Sequence, residues 1–447
     1  MNIRVAIAYS CILFYNPNII LFLKKIISLL KHPSLYNEFC KQHLDNIILH
    51  SYRTTTYYQE IFDKAGLVRN GRVYMDRFNL VPILDKEIIR KRKYDLKSTK
   101  TKRIFTNTSG GSTGEPVQFI QDNVYYARMV ADTLLFSFLN GKHPGQKEIK
   151  LWGSERDIFE GTIGPKEKFV NLFFNRTFLN SFKLTDKMIS EYIDEIKRQK
   201  PVQIWTYTDS ILELAKYINQ NDTDVFSPRN IICTAGTMYP EIRSEIQKAF
   251  PESRIINQYG SREVGQIACQ TENDESIMIF SHSNFVELVD PDMQEIITEP
   301  YRPGKVLITN LNNYSMPLIR FDIGDIAEYA PKKDQKYESF THFAKLHGRD
   351  NAHFISKDGH KIHGEYFTHL FYDKPWINNF QVIQKSPTWV NILFMKAPGN
   401  DMDDRDVEDI IRKIKLVLSE DVKVDFVEVD SLNKLESGKY QFVRRNF

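Results

Sequence analysis

The sequence predicts an α/β protein: a large amino-terminal α/β domain carrying a β-rich subdomain, followed by a small α+β carboxyl-terminal domain. Three observations lead there. From about residue 120 onward, apolar runs of strand composition alternate with segments of helical period. Residues 285–311 then turn to strand-like runs broken by turn residues. A polar stretch at 331–342 precedes a separate helix-and-strand pattern, which places a boundary near 346–351 and divides the chain into residues 1–346 and 347–447.

The alternation is clearest between residues 185 and 260. Met188, Ile189, Tyr192, Ile193 and Ile196 fall on one helical face of 185–200, and Pro201 stops that helix before the apolar run at 202–207. A helix at 209–218, a strand and turn at 230–236, a helix at 240–250 and a strand and turn at 254–260 follow in order. In the β-rich part, strands are expected at 285–290 and 304–311, with Asp290, Pro291 and Asp292 turning the chain between them. The last domain includes an amphipathic helix at 404–420.

Of the 447 residues, 42% are hydrophobic and 13% aromatic, ample for a large buried core and for more than one packed unit. Lys and Arg total 60 against 57 Asp and Glu, and the net charge of +3 gives no electrostatic case for nucleic acid. Cys11, Cys40, Cys233 and Cys269 form no CxxC pair, which fits a reducing, cytoplasmic compartment.

The apolar run from Val5 to Tyr15 reaches about half the ~20 residues of a spanning helix, and Lys24 and Lys25 interrupt the next one. No transmembrane segment is expected. Arg4 precedes the run as in a signal peptide, but no small-residue cleavage site follows. Ile19, Leu23, Ile26, Ile27 and Leu30 share a helical face, which favours a helix docked on the protein's own surface over one lying on a membrane.

Four motifs carry chemistry. In TNTSGGSTGEP at 106–116, glycines let the backbone turn its N–H groups toward an anion while hydroxyls add donors, which makes a phosphate nest. It is not a Walker loop, since no GK[ST] follows. The apolar runs at 104–105 and 117–120 would pin it as a hairpin rather than leave a flexible linker. In NQYGSREVG at 257–265, Glu263 follows the Gly260 turn, where it can hold Mg²⁺, and Tyr259 offers a flat face to a purine; the plain alternative is a surface turn.

In PLIRFDIGD at 317–325, Asp325 can accept both hydroxyls of a ribose, although a Gly-Asp pair is also an everyday hairpin turn. In LESGKYQFVRR at 435–445, Lys439 sits after Ser437 and Gly438, where a lysine is ordinarily solvated charge.

Taken in order, these motifs resemble the adenylate-forming superfamily, in its phenylacetate-coenzyme A ligase-like branch that includes capsule and polysaccharide biosynthesis proteins. Further pieces of the resemblance are HSYRTTTYYQEIFDKAGL at 50–67, LVPILDKEIIR at 80–90, TAGTMYPEIR at 234–243 and HGRDN at 347–351, so it covers nearly the whole chain. The resemblance implies that Thr108, Ser109, Gly110, Gly111, Ser112, Thr113 and Gly114 hold the ATP phosphates, and that Ala235, Gly236, Thr237 and Tyr259 frame adenine. It further implies magnesium on Glu263, the ribose on Asp325, a hinge at Arg349, Asp350 and Asn351, and a mobile small domain that brings Lys439 to the reacting carboxylate and α-phosphate.

Such an enzyme turns a carboxylate, whose own leaving group would be oxide, into a mixed anhydride with AMP, so little covalent chemistry is asked of the protein. The expected cofactors are ATP and Mg²⁺, and the expected partners are a small-molecule carboxylate and an acceptor. An amine acceptor in surface polysaccharide synthesis is the first expectation, coenzyme A the alternative, and a non-catalytic nucleotide-binding protein the second alternative. The acid's pocket is expected around residues 152–156, 205–209 and 233–236. Two departures stand out: the hinge reads GRDNA where relatives often show GRxDD, and His282 is out of step with Cys269 for the zinc site of some members, so no metal is expected there.

Overall fold

The computed structural model describes residues 3–101, 103–108, 117–152, 171–181, 184–271, 274–291, 293, 295–331, 340–349, 353–358, 361–363, 367, 370–371, 374–432 and 442–447. By internal contacts the chain divides into two compact units, one of residues 1–323 with 327–346, the other of 324–326 with 347–447.

The first unit opens with α1 (Ile3–Tyr15), α2 (Pro17–Leu29), α3 (Pro33–Thr54) and α4 (Thr56–Ala65), then a ribbon of β1 (Val68–Arg69) and β2 (Arg72–Val73), then α5 (Lys86–Leu96). The hairpin of β3 (Ile104–Thr108) and β4 (Gln118–Asp122) leads into α6 (Asn123–Leu139), whose first N–H groups at Val124 and Tyr125 are capped by the Asp122 carboxylate at 2.9 and 2.8 Å. The chain continues through β5 (Glu148–Leu151), β6 (Arg176–Leu179), α7 (Asp186–Gln199), β7 (Gln203–Tyr207), α8 (Thr208–Gln220), β8 (Asn230–Thr234), α9 (Pro240–Ala249) and β9 (Arg254–Ser261).

The β-rich part comprises β10 (Gly265–Thr271), β11 (Asp274–Ile279), β12 (Asn284–Val289), β13 (Ile296–Ile297), β14 (Gly304–Asn310), β15 (Phe321–Tyr329) and β16 (His342–Arg349). Twelve strands join in one sheet, ordered β13-β12-β14-β15-β16-β11-β10-β9-β8-β7-β5-β6. Its β6, β5, β7, β8 and β9 run parallel, the arrangement that helical crossovers such as α8 and α9 produce. At β9–β10 the sheet turns antiparallel. The strands expected at 285–290 and 304–311 are β12 and β14, an antiparallel pair, with β13 added on the outer edge of β12.

Local signals account for the elements. α7 begins at the Thr185 hydroxyl, which accepts from the Met188 N–H, and buries Ile189, Ile193 and Ile196 before Lys200 takes a left-handed φ of 46° and Pro201 blocks continuation. On α2, Ile19, Leu23 and Ile26 are buried as their spacing requires, while Ile27 and Leu30 are half-buried. They pack with Ile12 of α1 against Ala127, Ala131, Leu135 and Phe136 of α6. Each such fully buried aliphatic side chain contributes about 1.5–3 kcal/mol, so the α2 face is committed to the protein's own core. Among the described residues no single helix is long and apolar enough to cross a membrane, and α1 and α2 meet at an angle of 114°.

The second unit contains β17 (His353–Ile355), β18 (Lys361–His363), β19 (Ile377–Ser386), β20 (Trp389–Lys396), α10 (Asp404–Leu418), β21 (Lys423–Glu428) and β22 (Val443–Arg445). A β19–β20 hairpin forms the centre of a sheet ordered β21-β20-β19-β22, with each outer strand parallel to its neighbour. α10 lays Ile410, Ile414 and Leu418 on Phe380, Val382, Val390 and Ile392.

Candidate active site

Helical crossovers leave the carboxyl ends of parallel strands open, which is where sheets of this kind take ligands. After β8, Ala235 adopts a φ of +67°, a conformation that favours glycine. Gly236 follows where an added Cβ would lie 2.9 Å from Thr208 Cβ and 3.4 Å from Asp209 Oδ1. The Thr208 hydroxyl, at the start of α8, is shared between the carbonyl oxygens of Thr234 (3.3 Å) and Gly236 (3.4 Å). The first turn of α8 thus holds the Ala235–Gly236–Thr237 turn against the sheet. On the next strand Tyr259 is half-buried, its ring edge-on to Phe343 at 6.2 Å. Register pairs Thr234 with Gln258, so both groups stand at the same edge of the sheet.

Glu263 lies in the turn between β9 and β10, 8% exposed, with no hydrogen bond or ion pair to a described residue. Glycine at Gly260 and Gly265 is required by crowding: a Cβ on Gly260 would meet Gly265 O at 2.7 Å, and Gly265 itself has a φ of +76°. The Tyr125 hydroxyl, 3.4 Å from an ideal Cβ on Gly265, is buried without a hydrogen-bond partner among the described residues. Burial first, then the charges of Glu263 and Asp132, push its ionisation upward. One buried carboxylate suits a magnesium ion that takes its other oxygens from phosphate and water. Among the described residues no cluster of His, Cys, Asp or Glu would hold a metal unaided.

The runs flanking the glycine-rich loop do form a hairpin, pairing Thr108 with Gln118 and Thr106 with Ile120. Ser109, Gly110, Gly111, Ser112, Thr113 and Gly114 lie outside the described residues, but both stems of their loop are tied to the Glu263 turn. The Gln121 amide donates to the Arg262 carbonyl at 3.0 Å and accepts from Asn107 at 3.2 Å. A second relay runs behind. Asn310 donates to the Val264 carbonyl (3.0 Å) and accepts from the N–H groups of Asn312 (3.1 Å) and Asn313 (2.9 Å). Asn313 donates to the Ile120 carbonyl (2.9 Å), and Ser315 donates to Asp122 (2.6 Å), the α6 cap.

Asp325 is half-buried within β15, after Gly324 at a φ of +81°, so the Gly-Asp pair sits inside a strand and not at a hairpin turn. Arg349 ends β16. Asp350, Asn351 and Lys439 lie outside the described residues, as do residues 153–156 of the expected acid pocket. Of the remaining pocket positions, Trp152 packs on Tyr207 with ring centroids 4.1 Å apart, and Trp205 and Cys233 are buried. Between Cys269 and His282 there is no pairing of the zinc-site kind: the His282 ring nitrogens are engaged by Tyr36 (2.9 Å) and Asp132 (3.0 Å).

Sequence reasoning missed Lys150. It faces the rings of Trp205 (5.0 Å) and Trp152 (5.8 Å), and burial, with repulsion from Arg176, pulls its ammonium down to about 7. A lysine inside a strand run, two residues before Trp152, was the available signal. It missed Gln121, Asn310 and Asn313 as well, whose side chains act on backbone remote in sequence.

Known proteins share this architecture. Residues 354–446 match a family profile described as CapK C-terminal domain. The chain is 24% identical over 404 residues to Protein CapK of Staphylococcus aureus, covering 88% of this chain and 86% of that one. Among solved structures, 2-hydroxyisobutyryl-CoA ligase in the postadenylation state with 2-HIB-AMP superposes with a TM-score of 0.71 at 14% identity, over 91% of this chain and 89% of that one. The fold is that of the adenylate-forming ligases. The same adenylate-forming fold relates it to the anthranilate CoA ligase AuaEII in complex with anthranoyl-AMP, with a TM-score of 0.53 at 17% identity over 76% and 67% of the two chains. It also relates it to the amide bond synthetase McbA from Marinactinospora thermotolerans, with a TM-score of 0.50 at 15% identity over 73% and 65%.

Proposed function

We propose that this chain uses ATP to activate a small carboxylate as an acyl-adenylate, releasing pyrophosphate, and then passes the acyl group to an amine. The observation that carries the reading is the joining of the β3–β4 hairpin to the Glu263 turn through Gln121 and Arg262. That bond supports a phosphate-binding loop and a metal-binding carboxylate working on one nucleotide.

In this reading the loop from Thr108 to Gly114 cradles the phosphates, Ala235, Gly236, Thr237 and Tyr259 frame adenine, and Asp325 takes the ribose hydroxyls. Glu263 holds Mg²⁺, and Arg349, Asp350 and Asn351 form the hinge. Lys439 neutralises charge between the carboxylate and the α-phosphate, a role that needs a fixed cation and no nucleophile. ATP supplies the leaving group. An enzyme that draws on ATP belongs in the cytoplasm, and the similarity to CapK supports a role in surface polysaccharide synthesis with an amino sugar or amino acid as acceptor. The CoA ligase neighbour, aligned over 91% of the chain, favours coenzyme A as the second reading.

Pyrophosphate release from the purified protein, screened over aryl acids, amino acids and short hydroxy acids, tests activation. Release that requires both an acid and ATP is expected. Silence across the panel with ATP binding retained would leave a non-catalytic nucleotide binder in its place. Consumption of coenzyme A thiol with the active acid would replace the amine by the second reading.

A further inference from the structure

The fold uses only one side of its first two helices. Val5, Ala8 and Ile12 of α1 and Ile19, Ile20, Leu23 and Ile26 of α2 face the core. On the other side of α1, Ile3, Ile7 and Phe14 recur at helical spacing, and Phe14 is 95% exposed. Leu13, Tyr15 and Leu21 are exposed around the elbow between the helices, and Tyr126 of α6 is exposed near Tyr15.

The charge pattern of this elbow differs from that of the rest of the chain. Arg4, Lys24, Lys25 and Lys31 precede the first acid, Glu38, so four cations stand in a segment without a carboxylate, against a net +3 for all 447 residues. Lys24 and Lys25 share the exposed face of α2 with Leu21, one turn away.

We infer that the α1–α2 elbow docks the protein on the surface of an anionic lipid bilayer, with Leu13, Phe14 and Leu21 sunk among the acyl chains and the lysines at the phosphates. Apolar side chains beside cations are the combination that a headgroup-to-acyl boundary accommodates, and tyrosine suits that boundary with an apolar ring and a polar tip. A second copy of the chain fits less well, because a twofold contact would set Lys24 and Lys25 against their own counterparts. The helices lie on the bilayer and do not cross it, since their inner faces are already committed to α6.

Co-sedimentation of the full chain with phosphatidylcholine vesicles, with and without phosphatidylglycerol, tests the inference. Sedimentation with the phosphatidylglycerol vesicles, weakening as salt rises, is expected. Replacing Lys24 and Lys25 together by Gln should lower partitioning by about an order of magnitude or more. Phe14→Ser combined with Leu21→Ser should abolish it at low salt; both positions are exposed, so circular dichroism should be unchanged. Equal binding to both vesicle types, or binding indifferent to these changes, would overturn the inference. So would light scattering that shows a wild-type dimer split by the serine pair, which would assign the face to a second copy.

Discussion

At the amino ends of the parallel strands, register sets Arg176, Glu148, Gln203, Asn230 and Arg254 in one row, and at the carboxyl ends the same strands run into the turns of Thr208, Gly236 and Glu263. Both ends are polar, but they use polarity differently. Both Glu148 oxygens are engaged: one accepts from Arg176 at 2.7 Å, the other from Gln203 at 3.0 Å and from Lys142. Glu263, nearly as buried, has no ion pair among the described residues. A buried carboxylate surrounded by its own cations has little left to offer a ligand, whereas one with no ion pair among the described residues can still take a metal. The amino end therefore reads as support and the carboxyl end as the working edge.

The strongest test of this contrast changes the working edge. Glu263→Gln should cut pyrophosphate release by about 10²-fold or more while the thermal midpoint stays nearly unchanged, and Lys439→Ala should cost about 10²–10³-fold with ATP binding retained. A Glu263→Gln protein of normal rate would end the assignment of that carboxylate, and a Lys439→Ala protein of normal rate would do the same for the lysine.

Glu148→Gln should show the reverse. Breaking a buried pair that leaves Lys142 and Arg176 uncompensated costs about 3–5 kcal/mol, so the thermal midpoint should fall while the rate per folded molecule holds. Lost rate at an unchanged midpoint would erase the distinction between the two ends.

Acid sharpens the same comparison. Burial alone would raise the Glu148 carboxyl, but Lys142, Arg176 and Lys150 outweigh it and hold the group well below the usual carboxylate range. The folded protein therefore stays ionised where the unfolded chain takes up a proton, near its ordinary value of 4.5. The resulting stability is present above that pH and is lost as pH falls below it. Denaturant midpoints measured from pH 6 downward should fall less steeply for Glu148→Gln than for the wild type; parallel slopes would remove Glu148 from the account.

The smallest effect belongs to adenine. Stacking on an aromatic ring is worth about 0.5–1.5 kcal/mol, so Tyr259→Ala should raise the KM for ATP about threefold to tenfold with kcat nearly preserved. An unchanged KM would move adenine away from this ring.

Much of the fold was legible where local rules act alone. α7 is bounded by the Thr185 cap and Pro201, and α10 by its period of Ile410, Ile414 and Leu418. Tyr259 and Glu263 could be read from the residues around Gly260, whereas Ala235, Gly236 and Thr237 came only as what the family resemblance implies. Glycine misled more often. Gly260 reads as a turn, yet β9 continues to Ser261, because the residue is needed for close backbone approach to Gly265. Gly324 reads equally well as a hairpin turn, yet it lies within β15.

The side chains that hold the site together were not legible. Gln121 reaches the Arg262 carbonyl across 141 positions and Asn313 the Ile120 carbonyl across 193, and no spacing rule encodes such pairs.

The bond from Gln121 to Arg262 has a consequence for recombination. Residues 104–122 and 257–265 are distant in the gene but cut to one another's measure, so they should travel as a single cassette. A chimera that takes both stretches from one parent keeps the spacing between the β3–β4 stems and the carboxylate turn, and one that splits them mixes two gauges. Segments outside the cassette, such as the tryptophan-lined ends of β5 and β7, can then be exchanged with the cassette intact to test whether they line the pocket expected for the acid.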